Sequence, residues 1–430
     1  MEVSPTVRFS ARDSLPRIIA GTRCYRRDVA AADPERSYRA LLRVPSIARV
    51  LVGMEIARVG QSMVNVAMVL FTLTVYGSAP LAGLVGVALA LPGILFSPIA
   101  GAMLDRHGRI RLVLLDYLLA ATSLGLIAIL AATGHLPAWL LLAIAAISSL
   151  TSPLSTAGLR SLFPILVPKP LWERANAADS VGYVLATVLG PPLAGVIVQV
   201  FGPAAALGSI GVIFVLAAAV MFGLTEPVLD RHPGGGLLEA ARAGLVYTVR
   251  NRTLRGLGLS ISVLNIVWGV NAIVIPVLVL ERLHGGPALV GLLFAAQGLG
   301  GVISSTLAGR IDTRGREHAM IVYPMLGSAV LFLLLLPDAG LLPILVALIL
   351  FGVLNGPLDV AMFTTRQRRT DPAWMGRAFA VSMSFNFLGF PVGTGLGGII
   401  ASQSLDGAIA IEIGACVIAA IAAHLLIPFD

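Results

Sequence analysis

Long apolar stretches alternate with short polar connections from residue 46 to the end of the chain. Each stretch has the roughly 20 residues that an α-helix needs to cross the hydrocarbon core of a bilayer. The pattern predicts twelve spans, at 46–76, 79–103, 112–134, 137–160, 176–200, 203–224, 256–280, 286–309, 319–337, 340–364, 375–402 and 405–428. We therefore expect an all-α, polytopic membrane protein.

Composition agrees with this pattern. Of the 430 residues, 57% are apolar and 12% are charged, whereas a soluble domain carries about 25% charged residues. The two cysteines, Cys24 and Cys416, lie far apart, and the six histidines lack metal-ligand spacing. The only lysine is Lys169, so no P-loop is present. GTGLGG at 393–398 lies inside a span with no preceding strand, which argues against a nucleotide site. We expect neither an enzyme nor a bound metal or cofactor.

Basic residues are concentrated in alternate connections, which sets the orientation. The connections on the N-terminal side hold Arg106, Arg109, Arg111, Arg160, Lys169, Arg174, Arg231, Arg242, Arg250, Arg252, Arg255, Arg310, Arg314, Arg316, Arg366, Arg368, Arg369 and Arg377. The opposite connections hold Arg282 alone. The positive-inside rule then places both termini in the cytoplasm, and we expect the inner membrane of a bacterium. The charge of +8 reflects contact with lipid phosphate rather than nucleic acid.

The two halves of the chain resemble each other. LTSPLSTA and LNGPLDVA are offset by 204 residues, GPPLAGVI and GTGLGGII by 203, and DRHGR and DTRGR by 207. Similar motifs in the same order at a nearly constant offset indicate a duplicated six-span unit. We expect an Arg-rich, mostly disordered cytoplasmic tail (1–45), an N-terminal bundle (46–224), a linker with an amphipathic surface helix (225–255) and a C-terminal bundle (256–430).

Three motifs resemble those of a known family. GAMLDRHGRIR at 101–111 closely resembles the signature loop of the major facilitator superfamily, and the 308–316 segment resembles its second-half echo. Gly190, Pro191 and Gly195 are similar to the antiporter motif of that family, although Ala194 stands where a glycine is usual. LFPILVPKPLWERANAADS and the linker resemble the branch of macrolide and enterobactin exporters. The resemblance implies twelve helices in two pseudo-symmetric six-helix bundles, a drug:proton antiporter and a monomer.

The charged loop between spans 2 and 3 is a candidate conformational latch between the bundles. In this hypothesis Gly101 allows close helix approach, Gly108 permits the turn, and Asp105 faces a helix N-terminus. The arginines bind carboxylates, helix C-termini or lipid phosphate. The latch residues are Gly101, Asp105, Arg106, Gly108, Arg109, Arg111, Asp312, Gly315 and Arg316. The alternative is a topology anchor of ordinary positive-inside charges.

Charges within spans are costly and need a reason. Glu55, Arg58, Ser62 and Asn65 form one helical stripe, which we expect to face the bundle interior. Glu55 and Arg58 are spaced to pair, and together with Asp359 they are the candidates for proton coupling. The alternatives are a structural ion pair and, for Asp359, helix packing. For Asp359, which has no adjacent cation, we expect desolvation to favour the neutral carboxyl.

Two further acids, Asp116 and Asp179, are expected to pair with loop arginines. The position of Glu412 in span 12 is left open.

Polar and aromatic residues in several spans are candidates for lining a large, mostly apolar cavity. They are Ser62, Asn65, Asn265, Trp268, Asn271, Gln297, Asn355, Phe385 and Asn386. Gly190, Pro191 and Pro192 are expected to interrupt or bend span 5, and the small residues beside them to allow a tight contact that seals the inner leak path.

These features favour a proton-coupled secondary exporter of hydrophobic or amphipathic small molecules, such as drugs or antibiotics, that works by alternating access in the bilayer. Three alternatives stay open: an uptake permease or facilitator for a nutrient or organic anion, a siderophore exporter, and a scaffold or receptor that transports nothing. Arg58 and Arg160 keep an anionic substrate possible.

Overall fold

The computed structural model of the chain describes residues 37–226, 237–336, 340–371 and 374–428. Twelve helices in these ranges are long and apolar enough to cross a membrane. In chain order, spans 1 to 12 are Ile47–Tyr76, Ala79–His107, Arg109–Ala132, Ala138–Leu166, Trp172–Phe201, Pro203–Met221, Arg252–Val277, Pro287–Ala308, Glu317–Phe332, Leu341–Arg368, the pair Met375–Phe387 and Gly389–Ala401, and Leu405–Leu426. The predicted number of spans is confirmed.

Local sequence explains how closely spaced helices are separated. Span 1 ends at Gly77, whose φ is +60°, and Ser78 Oγ then accepts a hydrogen bond from the Leu81 backbone at 3.3 Å to cap span 2. Gly108, with a φ of +93°, is the single residue between spans 2 and 3. Left-handed backbone of this kind favours glycine, so the predicted turn at Gly108 is confirmed.

Two shorter helices lie outside the spans. Tyr38–Arg43 precedes span 1, and Leu237–Arg250, which we call the linker helix, precedes span 7. The ring of Tyr247 in the linker helix stacks on Trp374 at 5.0 Å, and its hydroxyl accepts a hydrogen bond from the Asp371 backbone. The linker helix is therefore attached to the connection between spans 10 and 11. Residues 1–36 of the predicted tail lie outside the described residues.

The helices pack as two bundles with the same internal arrangement. In the first bundle, span 1 packs on spans 5 and 6, span 4 on spans 2 and 3, and span 3 on span 6. The same pairs recur six spans later, between 7 and 11, 7 and 12, 8 and 10, 9 and 10, and 9 and 12. The bundles meet through spans 2 and 11 and spans 5 and 8, which this symmetry exchanges. The predicted pair of pseudo-symmetric six-helix bundles is confirmed.

Connections alternate between two ends of the molecule. We call the end where span 1 begins and span 12 ends the basic end, because it carries the arginine-rich connections, and the opposite end the far end. The outer surface between them is apolar, with Leu95, Val200 and Leu342 all largely exposed. Such a surface is stable in hydrocarbon.

Candidate functional site

A cavity of ≈ 360 Å³ lies inside the first bundle. Its walls come from spans 1, 3, 4, 5 and 6, and its lining residues are Met54, Ala57, Arg58, Gln61, Ser62, Asn65, Tyr117, Ser155, Thr156, Leu159, Tyr183, Ala186, Thr187 and Phe214. The predicted stripe of span 1 therefore does face the interior, and it brings Arg58, Ser62 and Asn65 to one wall.

Three charged side chains meet at this wall and form what we call the Arg58 triad: Glu55, Arg58 and Asp179. Arg58 Nη1 donates to Glu55 Oε1 at 2.9 Å and to the backbone oxygen of Asp179 at 2.9 Å, and Nη2 pairs with the Asp179 carboxylate. The predicted Glu55–Arg58 pair is present. With both acids ionised, the triad carries one net negative charge, and the guanidinium also lies 5.9 Å from the centre of the Tyr183 ring.

The prediction that Asp179 pairs with a loop arginine is wrong, because its helical register points it at span 1. Gly182, one turn later, faces the Glu55 carboxyl so closely that a Cβ there would overlap it. The prediction for Asp116 is also wrong. Asp116 is buried and interacts with the hydroxyls of Thr151 and Ser155 in span 4.

Hydroxyl groups and apolar surface make up the rest of the cavity wall. Tyr117 is almost fully buried, and its hydroxyl has no hydrogen-bond partner among the described residues. Ser155 and Thr156 add hydroxyls on span 4, while Leu159 and Phe214 are apolar. A wall of this kind suits a compound with an apolar body and a few hydrogen-bonding groups.

Span 10 presents a second polar face toward the middle of the molecule. Asn355 and Asp359 are one turn apart on it, and Asn355 Nδ2 donates to the Phe351 backbone oxygen at 2.7 Å. Asp359 is exposed, although it lies on the opposite side of the helix from the exposed apolar residue Leu350. Its carboxyl is therefore on the side of span 10 that faces away from the exposed apolar surface. The expectation that Asp359 is desolvated stays a prediction.

Arg366 lies two turns after Asp359 on the same face and was missed as a site residue. It was assigned to a connection, but it belongs to span 10 and is the largest fully buried side chain described. Its Nη1 donates to Met383 Sδ at 2.7 Å, and with the Asn386 amide oriented to satisfy both neighbours, Nη2 donates to that amide oxygen at 2.8 Å. The spacing of 7 from Asp359 and 11 from Asn355 is the sequence signal that places it inside the bundle.

The other cavity candidates of the second bundle divide into two groups. Asn265, Trp268 and Phe385 are half-buried, and Asn265 donates to the Ile261 backbone oxygen at 3.0 Å while Trp268 packs on Phe351. These three stay candidates.

Asn271, Gln297 and Asn386 are buried and were wrongly predicted to line the cavity. Close helix packing encloses each of them. Asn271 faces Glu412 in span 12, and the backbone of Gln297 lies against Gly352 of span 10. The Asn386 amide oxygen accepts a hydrogen bond from Arg366.

The bundles close on each other near the far end, at contacts that we call the far gate. Gly195 of span 5 faces Pro287 and Ala288 of span 8, and Gly291 faces Pro191. Gln199 Oε1 also accepts a hydrogen bond from the Ala288 backbone at 3.0 Å. The antiporter-like motif thus forms a tight contact, as expected, but at the far gate rather than at the inner side. The prolines do not interrupt span 5, which is helical from Trp172 to Phe201.

The symmetric half of the far gate lies between spans 2 and 11. Gly83 faces the backbone of Thr394 and Gly398, and Gly86 faces the Thr394 side chain. Any side chain at Gly83 would have to displace backbone atoms, so the approach requires glycine.

The latch candidates lie at the basic end. The Arg109 backbone donates to Glu226 Oε1 at 2.8 Å, and Arg109 Nε donates to Ser161 Oγ at 2.9 Å. A Cβ at Gly101 would meet no atom within 4 Å, so the close approach predicted there is absent from this conformation. Arg106 and Arg111 are exposed. The side chain of Asp105 lies outside the described part of the chain.

The second-half echo of the latch is similar. Gly315 has a φ of +71°, Arg316 is exposed, and Asp312 Oδ1 lies 3.7 Å from Arg368 Nη2. Neither these contacts nor the two described for Arg109 join one bundle to the other. A latch between the bundles therefore remains a prediction for another conformation.

Comparison with known proteins adds to this geometry. Residues 37–429 match the family model described as transmembrane secretion effector. The chain is 35% identical over 401 residues to an MFS-type transporter of Sinorhizobium fredii, covering 92% of this chain and 98% of that one. It is 21% identical to macrolide efflux protein A of Streptococcus pyogenes over 82% of this chain and 88% of that one. It is 26% identical to the enterobactin exporter EntS of Citrobacter koseri, over 72% and 76%.

The fold is also that of a solved transporter. A crystal structure of a mutant of the nucleoside transporter NupG superposes with a TM-score of 0.69 at 12% identity, covering 88% of this chain and 98% of that chain. At this identity the likeness concerns the fold alone.

Proposed function

Because the chain belongs to the transmembrane secretion effector family of major facilitator transporters, we propose that it is a proton-coupled secondary exporter of hydrophobic or amphipathic small molecules. The observation that carries the proposal is the cavity of the first bundle, where apolar walls and hydroxyls surround the Arg58 triad. Family membership excludes an enzyme, so the site binds and releases its substrate without chemical change.

The conformation of the molecule is compatible with loading of substrate from the cytoplasmic side, and the efflux-type relatives favour export. The positive-inside rule supports a cytoplasmic basic end. The far gate is closed, while Gln61, Asn65 and Asp359 are exposed on interior faces of their helices. This conformation therefore offers its cavity to the cytoplasm and to the inner leaflet, from which an exporter takes up apolar compounds. Alternating access would close the basic end, by the latch residues, and open the far gate.

The charge of the triad supports proton coupling and argues against an anionic substrate. Arg58 is already shared by two carboxylates, so it offers no free positive charge to an organic anion. Glu55 is the more exposed of the two acids, at 30% against 15% for the Asp179 side chain. We assign proton exchange with the cavity to Glu55 and the holding of Arg58 to Asp179. Asp359, exposed on span 10, is the second proton-exchanging candidate.

Siderophore export is the second candidate function, favoured by the likeness to the enterobactin exporter. The two functions differ in the compounds that accumulate when the protein is removed. Deleting the gene and overexpressing it in the same host, then measuring growth inhibition and dye accumulation against a panel of macrolides, ethidium and catecholate siderophores, separates them.

Energy coupling is tested in the same cells. We expect a protonophore to abolish the efflux, and Glu55→Gln to abolish it without loss of protein from the membrane. Glu281→Gln is the matched control, because Glu281 is an exposed acid near the far end of span 7. Efflux that persists with the protonophore, or in Glu55→Gln, would contradict proton coupling through the triad.

A further inference from the structure

A carboxyl group that the cavity does not use is enclosed in the second bundle. Glu412 lies in span 12, seven residues or about 10 Å from its far-end start, on a buried stripe with Ala408, Ala415 and Ala419. Its side chain is 0% exposed, and neither oxygen has a hydrogen bond within the described part of the chain. A full charge so enclosed needs a partner.

The group that faces Glu412 is uncharged. It is the amide of Asn271 in span 7, which is 1% exposed and whose nitrogen and oxygen likewise lack a hydrogen bond among the described residues. The two side chains therefore face each other. The Asn271 amide can donate to either form of the carboxyl, but one neutral donor does not neutralise an enclosed charge, whereas the protonated carboxyl needs no charged partner.

Ionisable residues on the helices packed against span 12 lie toward the helix ends. The neighbouring span 7, with its extension to residue 282, carries Arg252, Arg255, Glu281 and Arg282. Span 9 carries Glu317, His318 and Tyr323, and the Gly389–Ala401 half of span 11 carries none. Besides Glu412, span 12 itself carries Asp406, Cys416 and His424. Arg282 pairs with Asp406 at 2.5 Å, and His318 with His424 at 2.8 Å. The buried thiol of Cys416, one turn from Glu412, supplies no positive charge.

The Glu412–Asn271 pair lies directly behind the far gate. On span 7, Gly269 faces the backbone of Phe390 and Thr394, and Gly397 faces Val270. Thr394 in turn faces Gly86 of the first bundle. Spans 12, 7, 11 and 2 therefore pack against one another in that order near the far end. A change in the distance between spans 12 and 7 shifts span 11 against span 2, because the glycine contacts between these helices are tightly packed.

We propose that Glu412 is a proton-binding site of the second bundle, separate from the cavity, and that its protonated form holds the far gate closed. When the proton leaves for an entering water molecule, the ionised carboxylate must be hydrated. Spans 7 and 12 then separate, and span 11 loses its close contact with span 2. High proton concentration outside the cell would thus return the exporter to the conformation described. The proposal rests on alternating access in the proposed function, but not on its substrate or on the cavity acids.

The test follows the far gate directly. In a Cys24→Ser background, spin labels are placed by His135→Cys and Gln403→Cys, at exposed far-end connections of the two bundles, and their separation is measured by pulsed electron paramagnetic resonance in lipid nanodiscs. We expect the far-open fraction to rise about fivefold or more from acid to alkaline pH. In Glu412→Gln, which keeps the shape of the protonated acid, we expect the low fraction at every pH. Glu281→Gln should behave as the parent.

A second measurement does not depend on the gate. The infrared pH-difference spectrum should contain a protonated-carboxyl C=O band that disappears in Glu412→Gln and shifts in Asn271→Leu. A parent-like pH response of the gate in Glu412→Gln, or the absence of that band, would overturn the proposal. Glu55→Gln separates it from the proposed function, because that variant should lose coupled transport and keep the pH response of the gate.

Discussion

Neutralising each acid of the Arg58 triad in turn should separate the stability of the first bundle from its proton coupling. The two variants, Asp179→Asn and Glu55→Gln, remove the same charge from the same guanidinium. They differ in burial, since the Asp179 side chain is 15% exposed and that of Glu55 is 30% exposed. They also differ in position, because Glu55 adjoins Arg58 on span 1 and Asp179 joins span 5 to span 1.

The expected magnitudes follow from these contacts. A hydrogen bond to a charged group contributes about 1.5–3 kcal/mol, and Asp179→Asn weakens one that connects two helices. We expect it to lower the free energy of unfolding by about 2 kcal/mol, with a fall of several degrees in the unfolding temperature. Both amides keep an oxygen that can accept from Arg58, but Glu55 lies on the same helix as Arg58 and is more exposed, so for Glu55→Gln we expect a loss of no more than about 1 kcal/mol.

The assay pairs thermal unfolding of the purified variants with ethidium efflux driven by an imposed pH difference in proteoliposomes. We expect Asp179→Asn to be the less stable variant and Glu55→Gln to be the one without pH-driven efflux. Equal losses of stability in both variants, or full efflux by Glu55→Gln, would refute the division of roles.

Three further predictions concern other parts of the molecule. Gly195→Leu should disfavour the closed far gate by about 1–3 kcal/mol, seen as a longer distance between spin labels at His135→Cys and Gln403→Cys. Gly125→Leu, where a Cβ meets nothing within 4 Å, should leave that distance unchanged, and the same distance in both variants would contradict the gate. Asp359→Asn should keep expression and abolish gradient-driven efflux, and normal efflux would move the proton site elsewhere. Asp105→Asn should leave the protein inserted and folded but cut transport, and unchanged transport would remove the latch hypothesis.

The fold was predictable from the sequence because two independent periodicities define it. Apolar stretches of span length gave the twelve helices, and the similarity of LTSPLSTA to LNGPLDVA and of GPPLAGVI to GTGLGGII gave the internal symmetry. Both signals survive because a lipid exterior and a duplicated packing scheme constrain many residues at once. The turn at Gly108 followed from a shorter signal, since a left-handed residue was needed between two helices.

The site was predicted less well, because helical register decides which polar residues meet and the partner helix is not visible in the sequence. The stripe from Glu55 to Asn65 was found within one helix, whereas the Asp179–Arg58 contact joins two helices and was missed. Arg366 was assigned to a connection because a positive-inside count treats every arginine near a helix end alike. Asn271 and Gln297 were assigned to the cavity from their polarity, although glycine-rich contacts enclose the helices that carry them.

The central claim is that inward proton flow drives outward movement of substrate through two bundles that open alternately. The most direct measurement uses liposomes that contain the purified protein and a trapped pH-sensitive dye, to which ethidium, or the compound that cells expel most strongly, is added on one side at equal pH. The account predicts that substrate entering the compartment on the far-end side of the protein is accompanied by protons leaving that compartment. It also predicts that Glu55→Gln abolishes the pH change. Substrate movement with no accompanying pH change would contradict it.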